Sequence, residues 1–122
     1  DSIEIYIDAD ASKNTSYDKK NDFHLIYRLY DKKISLGKFS PRYGINQIRQ
    51  KMLKTKTGYS LETSIPWTTL KIKPIAGRHI GFDVQVNDDD TGHERDGKMA
   101  WNAKSDNSWT NPRLFGELIL IN

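Results

Sequence analysis

Alternation of apolar and polar residues with a period of two recurs along this chain, and it limits the possible folds more than any other feature. Ser2 to Asp8 places three isoleucines on one face, Phe23 to Tyr30 alternates in a similar way, and Ile80 to Asn87 opposes an apolar face to one of amides and carboxylates. Such alternation is typical of half-buried strands. Because no segment indicates a long helix, the sequence predicts an all-β chain folded as an antiparallel, jelly-roll-like β-sandwich.

The middle of the chain predicts a hairpin. The run from Ile48 to Lys56 would also suit one face of a helix, but Thr57-Gly58 can form a tight turn into the clean alternation from Tyr59 to Ile65. We therefore expect two paired strands in this region.

Two of the three tryptophans are predicted to be buried. Trp67 follows a strand end in a predicted helical turn with Leu70 beside it, and Trp101 lies in a predicted short strand two residues after Met99. Apolar neighbours of this kind favour core positions. Trp109 is then the remaining candidate for an exposed indole.

Composition narrows the choice of partners. A length of 122 residues suits a single domain, 1–122, and the net charge of +3 comes from basic and acidic residues scattered along the chain without a basic block. No apolar stretch is long enough to cross a bilayer, and the absence of cysteine excludes disulfides and thiol chemistry. We expect a processed or excised soluble segment, a monomer or a domain of a larger chain, with neither nucleic acid nor membrane as partner.

Trp109 lies in a loop of turn-forming residues, from Ser105 to Pro112, where no periodic apolar face requires an indole. Exposure of the ring is therefore expected. A flat indole can stack on the C–H face of a pyranose, while neighbouring polar groups bind its hydroxyls. The alternative is that Trp109 folds back over the end of the sandwich, and the loop by itself does not choose between the two.

Polar side chains on two predicted strands could add hydroxyl-binding groups. Gln85 lies between Asp83 and Asn87 on the polar face of its strand, and Glu4 occupies a similar place on the first strand. Donors and acceptors held on rigid strands suit sugar recognition. Simple solvent exposure would explain these residues equally well.

Catalytic motifs find little support. A glycosidase needs two carboxyl groups flanking one glycosidic bond. No spacing singles out a pair among the glutamates, which are Glu4, Glu62, Glu94 and Glu117. The histidines His24, His79 and His93 show no zinc-ligand spacing, and His24 is expected on the surface. We therefore favour binding over hydrolysis.

Calcium is the one metal that the sequence suggests. Asp8 to Ser12 has the alternate-oxygen spacing of a calcium loop, but Lys13 and Lys19 replace the required glycine and glutamate, which excludes an EF-hand. A denser oxygen cluster is formed by Asp88, Asp89 and Asp90. Because crowded carboxylates repel one another unless a cation compensates, this cluster is a candidate structural calcium site, with a solvated acidic loop as the alternative.

Four blocks of sequence together resemble the family-nine carbohydrate-binding modules that are appended to xylanases, and they occur in the order of that family. The blocks are Asp1-Ser2-Ile3-Glu4-Ile5-Tyr6-Ile7-Asp8, Ile65-Pro66-Trp67, Ile80 to Asp88, and Asn107-Ser108-Trp109-Thr110-Asn111-Pro112 followed by Phe115-Gly116. The resemblance implies a β-sandwich that grips the end of a glucan or xylan chain, or a small sugar such as cellobiose or xylobiose, between two tryptophans, with calcium in structural sites.

The resemblance also implies roles for single residues. Trp109 matches the second tryptophan of the clamp, and hydrogen-bonding positions of the family are matched by Gln85, Glu4 and Asp106, the last in place of an asparagine. The sugar-contacting arginine of the family is replaced by Ile26, so the candidate substitutes on the same face are Arg28 and His24. The first clamp tryptophan and the N-terminal strands of the family precede the Asp1 block. Either further residues precede this chain or its clamp is one-sided.

The resulting expectation is a non-catalytic sugar-binding domain of a secreted glycoside hydrolase or surface protein, extracellular or periplasmic. One alternative is a haem-binding redox sandwich with Met99 and His24 as axial ligands. Another is a structural or adhesion domain without sugar affinity, in which Trp109 packs against a neighbouring domain.

Overall fold

Antiparallel strands make up nearly all the regular structure in the computed structural model, which describes residues 1–90, 95 and 97–122. The elements are β1 (Ser2–Asp8), β2 (Asp22–Arg28), β3 (Ser35–Leu36), β4 (Arg49–Lys54), β5 (Tyr59–Ser64), α1 (Trp67–Leu70), β6 (His79–Asp88), β7 (Gly97–Ala100) and β8 (Gly116–Ile119), with 3₁₀ turns at Ile45–Gln47 and Pro112–Leu114. Among these residues no helix has the length and apolar character of a membrane span. The predicted antiparallel all-β fold is confirmed.

A six-stranded sheet forms the larger layer, in the order β3-β2-β1-β6-β7, and β8 also pairs with β6. β1 pairs along its whole length with β2 on one side and β6 on the other. β7 and β8 share the far edge of β6, at 85–88 and 79–82 respectively. Side chains on β1 therefore have neighbours on both sides.

The hairpin of β4 and β5 forms the second layer. Its strands pair from Arg49 opposite Ser64 to Lys54 opposite Tyr59. The backbone N–H of Thr55 donates to the Gly58 carbonyl at 2.7 Å, which closes the turn. The prediction of a hairpin rather than a helix is confirmed.

The hydrophobic core lies between the hairpin and the inner face of β1 and β2. The alternation predicted for β1 is confirmed, because Ile5 and Ile7 are 7% and 4% exposed. The other buried members of the core are Ala9, Phe23, Leu25, Tyr27, Ile48, Leu70 and Ile80. Hydrophobic burial of this set holds the two layers together.

The outer face of the sheet is polar, but long loops cover much of it. Tyr6, Asp22 and Asp83 have no exposed surface, and His24 is only 4% exposed. The expectation that His24 lies on the surface was therefore wrong. The segment after β3 runs across its ring, so closely that a Cβ on Gly37 would lie 2.0 Å from His24 Nδ1.

Two tryptophans predicted for the core are largely exposed. Trp67 is 40% and Trp101 is 59% exposed. α1 is a single turn that buries Thr69 and Leu70, and one turn can bury only one side. Trp101 follows β7 and rests edge-on against Phe82.

Candidate functional site

Strand pairing gathers the predicted polar side chains on the outer face of the sheet. Glu4 on β1 lies opposite Gln85 on β6 and opposite Ile26 on β2, and Gln85 in turn lies opposite Ala100 on β7. Residues directly opposite one another project from the same face. The structure thus brings Glu4 and Gln85 together, as the sequence resemblance implied.

Glu4 is the centre of a polar network. Its Oε2 atom accepts a hydrogen bond from the Tyr6 hydroxyl at 3.0 Å and lies 3.0 Å from Lys98 Nζ. His24 Nε2 lies 3.3 Å from Glu4 Oε1, although neither ring nitrogen has a well-aligned hydrogen-bond partner. Burial acts to raise the pKa of Glu4, but contact with His24 and Lys98 outweighs it and lowers the pKa to about 2. Glu4 is therefore a carboxylate at neutral pH.

Asp106 extends this network from the loop that follows β7. Lys98 Nζ donates to Asp106 Oδ1 at 2.7 Å, and Arg95 pairs with Asp106 Oδ2. The hydrogen bonds from Arg95 and Lys98 lower the pKa of Asp106. Lys98 consequently bridges Glu4 on the rigid sheet and Asp106 on the loop.

Gln85 anchors the tryptophan loop from below. Its side chain is fully buried, and its Nε2 donates to Ser108 Oγ at 3.0 Å. The Tyr17 hydroxyl donates to the Ser108 carbonyl at 2.8 Å. Gln85 Oε1 has no partner and lies behind the surface, so direct contact with a sugar stays a prediction.

Trp109 is 44% exposed at the head of this loop. A turn closed by hydrogen bonds from the Thr110 and Asn111 backbone N–H groups to the Asn107 carbonyl presents the residue. Phe39 stacks behind the indole, with the ring centroids 6.0 Å apart and an interplanar angle of 16°. The predicted exposure of Trp109 is confirmed, and its ring is a supported flat surface.

Two cavities open beside the Glu4 network. One of about 310 Å³ is lined by Glu4, Ile26, Arg28 and Arg95, among others. A second of about 210 Å³ is lined by residues that include Gln85, Arg95, Lys98 and Asp106. Arg95 borders both cavities. Arg28 and His24 were the two candidates to replace the sugar-contacting arginine of the family. Arg28 lines the first cavity, whereas the buried His24 contacts Glu4, which lines it.

The model of the "Carbohydrate family 9 binding domain-like" family matches residues 1–122. This chain belongs to carbohydrate-binding family 9. As a member of that family it is a binding domain and not a catalytic one. The family resemblance drawn from the four sequence blocks is confirmed.

Curated relatives contain this family 9 domain as a small part of long enzymes. The chain is 37% identical over 121 residues to Exoglucanase XynX of Acetivibrio thermocellus, and the alignment covers 98% of this chain and 10% of that protein. It is 35% identical over 120 residues to Endo-1,4-beta-xylanase A of Thermoanaerobacterium saccharolyticum, again with coverage of 98% and 10%. The chain therefore spans about a tenth of the length of these relatives.

Solved family 9 structures have the same fold. A carbohydrate-binding module from Caldicellulosiruptor kristjanssonii in complex with cellotriose superposes with a TM-score of 0.88 at 30% identity, over 100% of this chain and 58% of that one. A module from the same organism in complex with glucose gives 0.83 at 30% identity, over 98% and 58%. These structures confirm the β-sandwich.

Sequence reasoning missed two cations of the site, Lys98 and Arg95. Lys98 lies opposite Asn87 and therefore on the same face as Gln85. That placement depends on the register between β6 and β7. The register follows a long connection without a turn signature, so no local pattern predicts it.

A second polar cluster fills the outer face near the other end of β1. Its carboxyl groups are Asp8, Asp10, Asp18 and Asp22. Asp22 accepts from the Asp18 backbone N–H through Oδ2, but its buried Oδ1 has no hydrogen-bond partner within the part of the chain that the structure describes. Burial and the neighbouring Asp10 raise the pKa of Asp8, and burial raises the pKa of Asp22 to about 7. An oxygen-rich site with an unsatisfied carboxylate atom fits a hard cation such as calcium.

The calcium cluster predicted at Asp88, Asp89 and Asp90 is only partly assembled. Asp88 and Asp90 lie with Asp1 so that one carboxylate oxygen from each falls within 4.8 Å of the others, and all three are exposed. Asp89 instead donates its backbone N–H to Asp1 Oδ1 at 3.0 Å. The metal role of these residues stays a prediction. His93 and Glu94 lie outside the described residues.

The geometry opposes the haem alternative. His24 lies opposite Tyr6, on the outer face. Met99 lies opposite Val86, which lies opposite Ile3, so Met99 projects from the inner face. Two side chains on opposite faces of one sheet cannot ligate the same haem iron.

Proposed function

We propose that this family 9 domain binds the ends of glucan or xylan chains, or small sugars such as cellobiose and xylobiose, without cleaving them. The observation that carries the proposal is the half-exposed indole of Trp109, backed by Phe39. Its loop is tied through Ser108 to Gln85, the strand neighbour of Glu4. The ligands of the solved family 9 structures, cellotriose and glucose, support this choice of ligand class.

The binding mode combines stacking with polar contacts. The indole of Trp109 covers the C–H face of a sugar ring, and the carboxylates of Glu4 and Asp106 accept hydrogen bonds from its hydroxyls. Arg28 lines the cavity next to Glu4 and donates to hydroxyls of the same or the next sugar unit.

Calorimetric titration of the chain with cellobiose, cellotriose and xylobiose tests this function. We expect saturable binding that quenches or shifts tryptophan fluorescence. Trp109→Ala should weaken binding by about fivefold to a hundredfold, because ring stacking contributes roughly 1 to 3 kcal/mol. Trp67→Ala, which removes another exposed indole, is the matched control and should leave affinity unchanged.

Two results would contradict the proposal. One is a folded chain that shows no heat and no fluorescence change at millimolar sugar, as expected of a structural or adhesion domain. The other is a Trp109→Ala variant that binds sugar as tightly as the unaltered chain.

The cellular setting is part of the same proposal. The named relatives are an exoglucanase and a xylanase of which this chain spans 10%, which supports a role as one domain of a larger polysaccharide-degrading enzyme. Polymeric substrates are too large to enter a cell, so we infer that the parent protein is secreted. Cell fractionation with an antibody to this domain tests the location.

We also propose that structural calcium binds at the carboxyl cluster of Asp8, Asp10, Asp18 and Asp22. The unpartnered Asp22 Oδ1 supports this site. Calcium supplies positive charge that neutralises the cluster and stabilises the loop between β1 and β2. The exposed Asp88 and Asp90 form the alternative site.

Thermal unfolding with calcium, with magnesium and with a chelator tests this site. We expect calcium to raise the melting temperature of the unaltered chain and of an Asp88→Asn/Asp90→Asn variant, but not that of Asp22→Asn. A calcium effect that disappears in the Asp88/Asp90 variant and persists in Asp22→Asn would move the site to the alternative cluster. No calcium effect in any of the three would contradict both sites.

A further inference from the structure

We propose that Lys98 is a positioning residue of the sugar site, which couples Glu4 to Asp106 so that both carboxylates are held ready to accept hydroxyl hydrogen bonds. The inference rests on the proposed sugar binding and extends it to a residue outside the implied ligand set. It assigns to β7 a role in setting the affinity of the site and the pH range over which the site works.

The first support is geometric. Lys98 Nζ lies 3.0 Å from Glu4 Oε2 and 2.7 Å from Asp106 Oδ1. Its side chain is only 15% exposed, so these contacts are largely shielded from water. An ammonium group has three donors, and the two carboxylates occupy two of them.

The second support is that the two ends of the bridge depend on Lys98 to different degrees. Asp106 is 53% exposed and also pairs with Arg95, so it keeps a cation without Lys98. The Glu4 side chain is only 12% exposed, and within the described part of the chain its Oε2 otherwise contacts only the neutral Tyr6 hydroxyl. Removing Lys98 therefore leaves a largely buried carboxylate poorly compensated, which is costly.

The third support is that the two carboxylates coupled by Lys98 lie on different parts of the fold. Glu4 belongs to the central strand of the sheet, whereas Asp106 belongs to the loop that carries Trp109. Lys98 stands between them on β7. By fixing the loop to the sheet, it sets the distance between the stacking surface and the acceptors, and such preorganisation strengthens binding.

The charged and titratable groups around Glu4 define what else could replace Lys98. Tyr6 and His24 contact Glu4 directly. The groups lining the adjoining cavity are Asp1, Arg28, Asp89 and Arg95. His24 approaches the other oxygen of Glu4, so it offsets the loss of Lys98 only in part.

The test compares Lys98→Met, Lys98→Arg and Lys54→Met by calorimetric titration with cellobiose across acidic to neutral pH. Lys54 is an exposed lysine of β4, in the hairpin layer and not in the sheet that carries Glu4 and Lys98, which makes it the matched control. We expect Lys98→Met to weaken binding about tenfold at neutral pH, since a hydrogen bond to a charged group contributes roughly 1.5 to 3 kcal/mol. Its affinity should fall further in mildly acid solution, where the affinity of the unaltered chain stays constant.

The conservative variant separates positioning from bulk packing. Lys98→Arg should regain part of the affinity and most of the acid tolerance, because it restores the charge. Lys54→Met should match the unaltered chain in affinity and in acid tolerance. A folded Lys98→Met variant with the affinity and pH profile of the unaltered chain would overturn the inference.

Two measurements without sugar keep this inference distinct from the proposed function. Carbon-13 NMR should show the Glu4 carboxyl titrating at higher pH in Lys98→Met, and hydrogen exchange should be faster in the loop around Asp106. If the unaltered chain binds no sugar but both changes appear, the sugar proposal fails and the coupling by Lys98 stands. If neither change appears, the coupling itself is wrong.

Discussion

Glu4 and Asp22 are two largely buried carboxyl groups on the same face of one sheet, yet their pKa values move in opposite directions. Burial favours the neutral form of both. At Glu4 the contacts with His24 and Lys98 prevail and lower the pKa to about 2. At Asp22 burial prevails and raises the pKa to about 7, with the neighbouring carboxylates adding to the effect.

The difference lies in the partners and not in the depth of burial. The Glu4 end of the face supplies the Lys98 ammonium from β7 and the His24 imidazole from β2, and this keeps Glu4 a carboxylate next to open cavities. The Asp22 end supplies further carboxyl groups beside a backbone N–H donor, and these carboxyl groups add to the effect of burial in raising the pKa of Asp22. One sheet face thus carries the proposed sugar site at one end and the proposed calcium site at the other.

The largest expected effect on stability comes from a substitution at Gly37, the glycine that packs against His24 at the Glu4 end of the face. Gly37→Ala would place a Cβ 2.0 Å from His24 Nδ1 and 2.8 Å from His24 Cβ, so the His24 ring or the segment after β3 must shift and the contact between His24 and Glu4 is disturbed. We expect a loss of about 3 kcal/mol in the free energy of unfolding, measured with urea. Gly58→Ala, where a Cβ meets nothing within 4 Å, is the control. Equal stability of the two variants would show that the His24 ring moves freely.

A smaller effect is expected from Glu4→Gln, which removes the anion and keeps the shape. The pKa of Glu4 is lowered, so its stabilising contribution is complete above pH 4.5 and is lost as the pH falls towards about 2. We expect the variant to be less stable by about 2 kcal/mol at neutral pH, after allowance for partial solvent screening, and the difference to vanish in strong acid. Unfolding curves across pH measure this, with Glu62→Gln on the exposed hairpin as control. A difference that does not change with pH would contradict the assignment.

The smallest effect has the opposite sign. The pKa of Asp22 is raised, so Asp22 costs nothing below pH 3.8 and destabilises the fold increasingly as the pH rises through about 7. The shift by itself would imply a gain of about 4 kcal/mol for Asp22→Asn without calcium, but the Asn amide accepts the Asp18 backbone hydrogen bond less strongly than the carboxylate does. We therefore expect a net stabilisation of about 1 kcal/mol in mildly alkaline solution and no change in acid. Thermal melts in chelator measure the effect, with Asp31→Asn as an exposed control. Destabilisation by Asp22→Asn in chelator would mean that the carboxylate is already compensated.

Local sequence patterns predicted the strands well, because alternation shows directly which residues share one face of a strand. β1, the β4–β5 hairpin and the single turn of α1 were all predicted from short-range signals. The same signals failed for Trp67 and Trp101, which are exposed although apolar residues lie beside them in sequence. Burial of an indole depends on what covers it, and that is not local.

The residues of the candidate site also divide into those whose placement the sequence predicted and those whose placement it did not. The exposure of Trp109 was favoured by its loop together with the family resemblance, and alternation and resemblance placed Glu4 and Gln85 on polar strand faces. The burial of His24 was not predicted from the sequence, because the segment that covers it lies after β3, more than ten residues away in the chain.

The sequence by itself determined that this chain is an antiparallel β-domain of family 9 with one loop tryptophan open to solvent, because periodicity, turn residues and motif order are written locally. Only the tertiary structure decided that Lys98 bridges Glu4 and Asp106, and that four aspartates of one loop and its flanking strands meet around an unsatisfied oxygen. Side-chain charges interact across strands whose register is set by packing, and the pKa values of Glu4 and Asp22 depend on those distances.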